Sequence, residues 1–282
     1  GSLRIISDDV VIRFERRERN QLYSIKVGNE ELLQAPMRLN FWRALTDNDR
    51  GTRAGSRLGC WRDAGDTPGI FNNTKWSIEG YKILDDGKKV VVTSGATVCT
   101  QPESKASIVY TITSKGMEIN LHFYPDPSLP EIPEVSLLFE LPKDFENVTY
   151  LGNGPEENYI DRANAAKIGL YNTTVSDMWV DYLKPQECGN RTGVRYATLV
   201  GDKKVFSLVA EPVMEFNACH WLPKEIENVW HQKDLPEPNK TVVRCIARQQ
   251  GIGGYDSWGA HCNEKYKNKT DKTYRLKFQI RF

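Results

Sequence analysis

The chain has 282 residues, 39% of them hydrophobic, with 38 basic and 37 acidic side chains and a formal net charge of +1. That length buries a sizeable core in one or two domains. The near-neutral balance gives no electrostatic ground for a nucleic-acid or anionic-membrane partner, and no apolar run approaches the roughly 18 residues of a membrane span. Gly1-Ser2 reads as a cloning scar, which leaves residues 3–282 as one domain. No signal peptide is recognisable, and nothing separates a cytoplasmic from a periplasmic protein. The six cysteines (Cys60, Cys99, Cys188, Cys219, Cys245, Cys262) form no C-x-x-C and no Cys/His cluster. They read as free buried thiols, with no metal site.

In chain order, residues 3–14 and 20–33 read as an opening hairpin that turns near Glu18-Arg19-Asn20. RALTDNDRGTRAGSRLGCW (43–61) then breaks the strand pattern and reads as a long loop without secondary structure. Residues 76–84 and 90–98 form a hairpin, as do 106–113 and 117–123 around Ser114-Lys115-Gly116. In the latter, Met117, Ile119, Leu121 and Phe123 share one face. The proline-rich 124–134 is a loop within the domain. LGNGPEENYIDR (151–162) is a second break. Residues 193–200 and 205–210 pair across 201–204, and Pro223 followed by 224–232 is the best helix candidate. GIGGYDSW (251–258) is the third break. Residues 273–282 set Tyr274, Leu276, Phe278, Ile280 and Phe282 against five polar partners. Period-two alternation with very little helix predicts an all-β protein, a large antiparallel sandwich of fourteen or more strands, its sheets each with one dry face.

The chemistry concentrates in the three breaks. Trp258 follows a run of glycines and has little neighbouring side chain to bury it. An indole so placed either stacks on the C–H face of a sugar, with Asp or Asn groups binding hydroxyls, or folds back to cap the sandwich edge. A glycosidase needs two carboxylates about 5 Å apart or more, on opposite sides of the scissile bond. Glu156 and Glu157 are adjacent, so in extended chain they point apart. Asp47 and Asp49 share a face, but in a D-N-D turn such groups cap backbone N–H. No G-x-S-x-G or P-loop is present, and GNGPEE lacks the third glycine of a dinucleotide fingerprint.

RALTDNDRG (43–51), LGNGPEENYIDR (151–162), SDMWVDYLKPQECGNRTGVR (176–195) and GIGGYDSW (251–258) together resemble the C-terminal domain, or separate small subunit, of bacterial β-galactosidases of glycoside hydrolase family 2. The resemblance implies a β-supersandwich similar to galactose mutarotase. It implies hydrolysis of terminal β-D-galactosides with retention by the full enzyme. The catalytic glutamates, Mg2+ and Na+ would lie on a (β/α)8 barrel absent from this chain, so the isolated chain would be inactive, with no catalytic residue and no bound cofactor. Its partners would be the substrate, the barrel domain or large subunit, and further copies of the enzyme in a homo-oligomer. By the same resemblance Trp258 stacks on the sugar, Asp256 beside it binds substrate, and Gly51 starts a mobile loop near the site, here shortened to 52–59. Tyr255 stands where the family often has an acidic residue. Asp47, Asn48, Asp49, Glu156, Glu157 and Asn158 belong to signature loops without an assigned contact; a buried polar network bracing a loop is the expectation for the last three.

Three other readings remain at the level of sequence. A stand-alone carbohydrate-binding module would bind galactose without a partner. A mutarotase-like epimerase would need a paired His and Glu in a central cleft, whereas His122 sits on a strand with no evident partner. A structural role in subunit assembly is compatible with the first reading.

Overall fold

A computed structural model of the chain describes residues 2–15, 21–65, 74–253, 256 and 258–282. The opening segment makes four strands rather than two: β1 (Ser2–Ser7), β2 (Val10–Glu15), β3 (Leu22–Val27) and β4 (Glu30–Glu31), paired in that order. Asp8, with φ of 49°, turns the chain in the middle of what reads as one strand. The expected turn at Glu18-Arg19-Asn20 lies outside the described residues, as does Gly1.

The remaining strands build a branched antiparallel sheet of twelve. They are β5 (Ala35–Asn40), β6 (Lys75–Leu84), β7 (Lys89–Val98), β8 (Ser104–Thr113), β9 (Gly116–Tyr124), β10 (Glu134–Pro142), β11 (Asn147–Gly154), β12 (Lys167–Thr174), β13 (Arg191–Val200), β14 (Val205–Cys219), β15 (Lys240–Gln249) and β16 (Tyr274–Arg281). β14 is the branch point. Its residues Ser207 to Ala210 pair with β16, and Glu215 to Cys219 pair with β15. Pro212, which has no N–H for a ladder, lies between the two halves. One arm runs β12-β11-β13-β14-β16-β9-β8-β7-β6, and the other runs β15-β10-β5.

The arms and the small sheet bury one another. Phe139 of β10 packs on Phe206 of β14 and Phe278 of β16, with ring centroids 5.6 and 6.2 Å apart. Phe14 of β2 meets Tyr110 of β8 edge-on at 4.9 Å. One hydrophobic cluster draws on residues from Ile5 to Ile280. The architecture is therefore an all-β sandwich, as the alternation predicts. β10 and β15 depart from the prediction of one dry face, because nearly every residue in both is buried.

Among the described residues, α-helix is confined to single turns: α1 (Asp47–Gly51), α2 (Ala54–Arg57), α3 (Gly59–Arg62), α4 (Val175–Met178) and α5 (Pro223–Glu227). The first three correct the loop expected at 43–61. The helix expected over 224–232 starts at Pro223, where the missing N–H costs nothing, and ends at Glu227. Two of the six thiols also depart from expectation: Cys60 is exposed and Cys99 half-buried.

Candidate functional site

The connection after β15 leads from Gln250 to Trp258, and its first residues are held from three sides. From the connection between β5 and α1, the buried Arg43 guanidinium donates to the Gln250 carbonyl at 2.5 Å and the Gly251 carbonyl at 3.1 Å. The same group holds Asp49 through Nε at 3.2 Å and Nη2 at 3.0 Å. Burial disfavours the charged form of Arg43, but the Asp49 carboxylate more than offsets it and holds the pKa above its ordinary value. Asn48 Nδ2 donates to the Ile252 carbonyl at 3.0 Å. From the connection between β11 and β12, Asp161 accepts the Ile252 N–H on Oδ1 (3.1 Å) and the Gly253 N–H on Oδ2 (3.0 Å).

Asp49 also shapes α1. Its N–H donates to Thr46 Oγ1 at 3.1 Å, and its Oδ2 accepts the Thr46 N–H at 3.1 Å, a reciprocal capping box. Capping is thus one of its two tasks, with Arg43 the other. Asp47 does not join it: its carboxylate pairs with Arg50 at 3.1 Å on the surface, while its N–H donates to Gln186 Oε1 at 2.7 Å. Gly51 closes α1. A Cβ added at Gly259 would lie 3.8 Å from the Gly51 carbonyl, so the returning leg of the loop passes over it.

At the loop tip, Asp256 Oδ1 accepts the Trp258 N–H at 2.8 Å and the Ala260 N–H at 3.2 Å. One oxygen of Asp256 is thereby committed to backbone. Trp258 is 94% exposed; a residue folded back on the sandwich edge would be covered. Gly254, Tyr255 and Ser257 of the motif lie outside the described residues. Beneath the loop, Asn48, Asp49, Gly251, His261 and Cys262 line a crevice of about 10 Å³, room for one water and not for a sugar ring. A roomier cavity of about 300 Å³ lies between β5, α3 and α5, and none of the loop residues line it. Of these two spaces, the described loop residues line only the smaller.

The second signature stretch is a brace. Glu156 departs from the expected buried network, because it is exposed, while the Glu157 side chain is only 5% exposed, so the two carboxylates diverge. Glu157 accepts from Tyr182 Oη at 2.5 Å, the Gly189 N–H at 2.9 Å and Arg162 at 3.2 Å. Asn158 is buried and its amide is fully used. Nδ2 donates to the carbonyls of Asn153 (3.0 Å) and Glu156 (2.9 Å), and Oδ1 accepts from Thr192 N–H (2.9 Å) and Oγ1 (2.6 Å).

A buried polar layer supports the loop base, and only its Glu187 and Asn190 fall in a signature stretch, 176–195. Arg244 of β15 reaches Glu134 of β10 at 2.5 Å and Glu187 at 2.7 Å. Gln249 Nε2 donates to the same two carboxylates at 2.7 and 3.2 Å. Burial pushes the Glu187 carboxyl up, against the pull of Arg244. Glu215 of β14 accepts from the Gln249 N–H at 3.0 Å and from Asn190 Nδ2 at 2.8 Å, both neutral donors. Burial, opposed by those two bonds, pushes its carboxyl up to about 7.

The paired His and Glu that an epimerase would need arises at an unexpected place. His122 contacts Tyr124 Oη at 3.4 Å. His220 Nε2 instead lies 3.1 Å from Glu146, and its Nδ1 lies 2.9 Å from the Lys240 carbonyl. That imidazole is 5% exposed and both ring nitrogens are engaged, while the Glu146 side chain is partly exposed.

A family profile described as the β-galactosidase small chain matches residues 7–280. A β-galactosidase of Priestia megaterium is 33% identical over 270 residues, covering 95% of this chain and 25% of that protein. One of Streptococcus thermophilus is 32% identical over 267 residues, covering 94% and 25%. The chain thus spans about a quarter of the length of these relatives. A β-galactosidase small subunit of Latilactobacillus sakei is 26% identical over 315 residues, covering 99% of this chain and 98% of that protein. Among solved structures, a galactose mutarotase-like protein from Lactobacillus casei superposes with a TM-score of 0.52 at 12% identity, covering 100% of this chain and 99% of that one. At that identity the likeness is one of fold, and it makes this sandwich galactose mutarotase-like. With the profile covering nearly its whole length, the chain belongs to the β-galactosidase small-chain family.

Proposed function

We propose that this chain is the wall-forming part of a β-galactosidase, with Trp258 as its sugar-facing platform beside a catalytic (β/α)8 barrel of family 2 type carried outside these residues. The observation that carries the reading is Trp258 itself: an indole 94% exposed, on a loop whose base is bonded by Arg43, Asn48 and Asp161 from two other connections. An indole face matches the C–H face of a galactosyl ring, and the gain comes when both are removed from water. The 10 Å³ crevice beside it holds no ring, so the other walls come from the partner.

In this reading the partner's two glutamates carry out retaining hydrolysis through a covalent galactosyl-enzyme, and Mg2+ and Na+ belong to the same barrel. This chain supplies binding and orientation. Its own carboxylates fit that division: Glu156 and Glu157 diverge, and Asp49 is neutralised by Arg43. The loop over Gly51 contributes to the rim, and Asp256 sets the tip through Oδ1 and offers Oδ2 to a hydroxyl.

The expected result is that the chain alone does not cleave a chromogenic galactoside and that turnover appears once it is joined to its catalytic part. Turnover by the purified chain above a buffer blank contradicts the proposal. Millimolar or tighter galactose binding by the chain alone, read by tryptophan fluorescence, favours a stand-alone binding module instead.

A further inference from the structure

We propose that Asp161 is the positioning residue of the Trp258 loop, which gives the 151–162 signature its task. β15 ends at Gln249, so the next N–H groups have left the sheet ladder and need other acceptors. Asp161 takes two consecutive ones, Ile252 on Oδ1 at 3.1 Å and Gly253 on Oδ2 at 3.0 Å. Both bonds are charge-assisted. The approach depends on Gly251: a Cβ there would stand 2.6 Å from Asp161 Oδ2 and 2.8 Å from its Cγ. Gly253, at φ of 83°, then turns the chain where other residues are strained.

The opposite edge of the same segment is held by Asn48, whose amide donates to the Ile252 carbonyl at 3.0 Å. The segment is therefore pinned on both edges immediately before it leaves for the tip. Asp161 is not simply the counterion of its neighbour, because Arg162 pairs with Glu157 at 3.2 Å. Nor does it touch the sugar in this account; it acts through the backbone that aims Trp258. A platform must lie flat on its ring, and small displacements at such a site are costly to binding.

The test has a structural arm in the chain alone and a kinetic arm in the assembled enzyme; only the second rests on the sugar-platform reading. Asp161→Asn replaces one acceptor with a donor that faces a backbone N–H. Amide exchange at Ile252 and Gly253 should accelerate by about tenfold or more, with Val243 in the middle of β15 unchanged. In the assembled enzyme, KM for a galactoside should rise by about tenfold with kcat within about twofold. Gly251→Ala leaves Asp161 in place but pushes its carboxylate away, and should give the same exchange pattern. Unchanged exchange at Ile252 and Gly253 in either variant overturns the assignment. So does loss of the cooperative thermal transition in both, which would make Asp161 a residue of the fold. Faster exchange with unchanged KM keeps the positioning role and instead overturns Trp258 as the platform.

Discussion

Gln249, the last residue of β15, is fully buried, and Trp258, nine residues later in the connection to β16, is 94% exposed. At the base, Arg43, Asn48, Asp161 and Glu215, from three separate parts of the chain, satisfy residues 249–253. At the tip, Asp256 Oδ1 holds the backbone N–H groups of Trp258 and Ala260. The difference teaches where the loop's stability resides. A base built from buried, paired polar groups is costly to disturb, since each broken pair strands a partner. A tip whose apolar surface is uncovered gains nothing from its own chain, so its side chain is free to serve another surface.

Four substitutions sharpen that contrast. The largest effect belongs to Arg43→Met, which strands the Asp49 carboxylate and two backbone carbonyls. It should lower unfolding free energy in urea by about 3–5 kcal/mol; a loss of less than about 1 kcal/mol would show that the base is not held as described. Glu215→Gln comes next and acts through pH. The folded-state pKa of Glu215 is raised from 4.5 to about 7. Its neutral form is therefore favoured by folding, and the associated stability is complete below about pH 4.5 and lost as pH rises through about 7. That window amounts to about 3 kcal/mol, and the Gln variant should lose this slope; identical slopes in the two proteins would contradict it. Asn158→Ala removes four amide hydrogen bonds and should cost about 2–3 kcal/mol, against about 0.5 kcal/mol for its exposed neighbour in Glu156→Ala. The smallest effect is at the tip, where Trp258→Ala should change the stability of the chain by no more than about 0.5 kcal/mol in urea unfolding.

Hairpins were legible where sequence and burial alternate together, but β11 was missed: it also buries one face, and its residues 151–154 read as part of a break. β8, β9 and β16 alternate in sequence and in burial alike. β10 and β15 are packed on both faces, so no alternation marks them, and the charges of Glu134 and Arg244 are hidden inside apolar runs. Single-turn helices such as α1 are too short to set up a period and rest on one capping pair, Thr46 with Asp49. The loops of the site were visible as breaks, but their joints were not. Arg43 meets Gln250 across 207 positions, and Asp161 meets Ile252 across 91. Periodicity carries no information at such separations; only the fold brings those residues together. The bracing role of Asn158 is local only in part: its amide partners lie nearby at Asn153 and Glu156, but also 34 positions away at Thr192.

The central claim is that the exposed indole serves substrate and not the fold. Its most direct test is galactoside kinetics of Trp258→Ala and Trp258→Phe in the enzyme assembled with its catalytic part. The account predicts that Ala raises KM by about tenfold or more, that Phe raises it less, and that kcat changes less than KM in both. Galactoside kinetics that match the parent enzyme in both variants would contradict it.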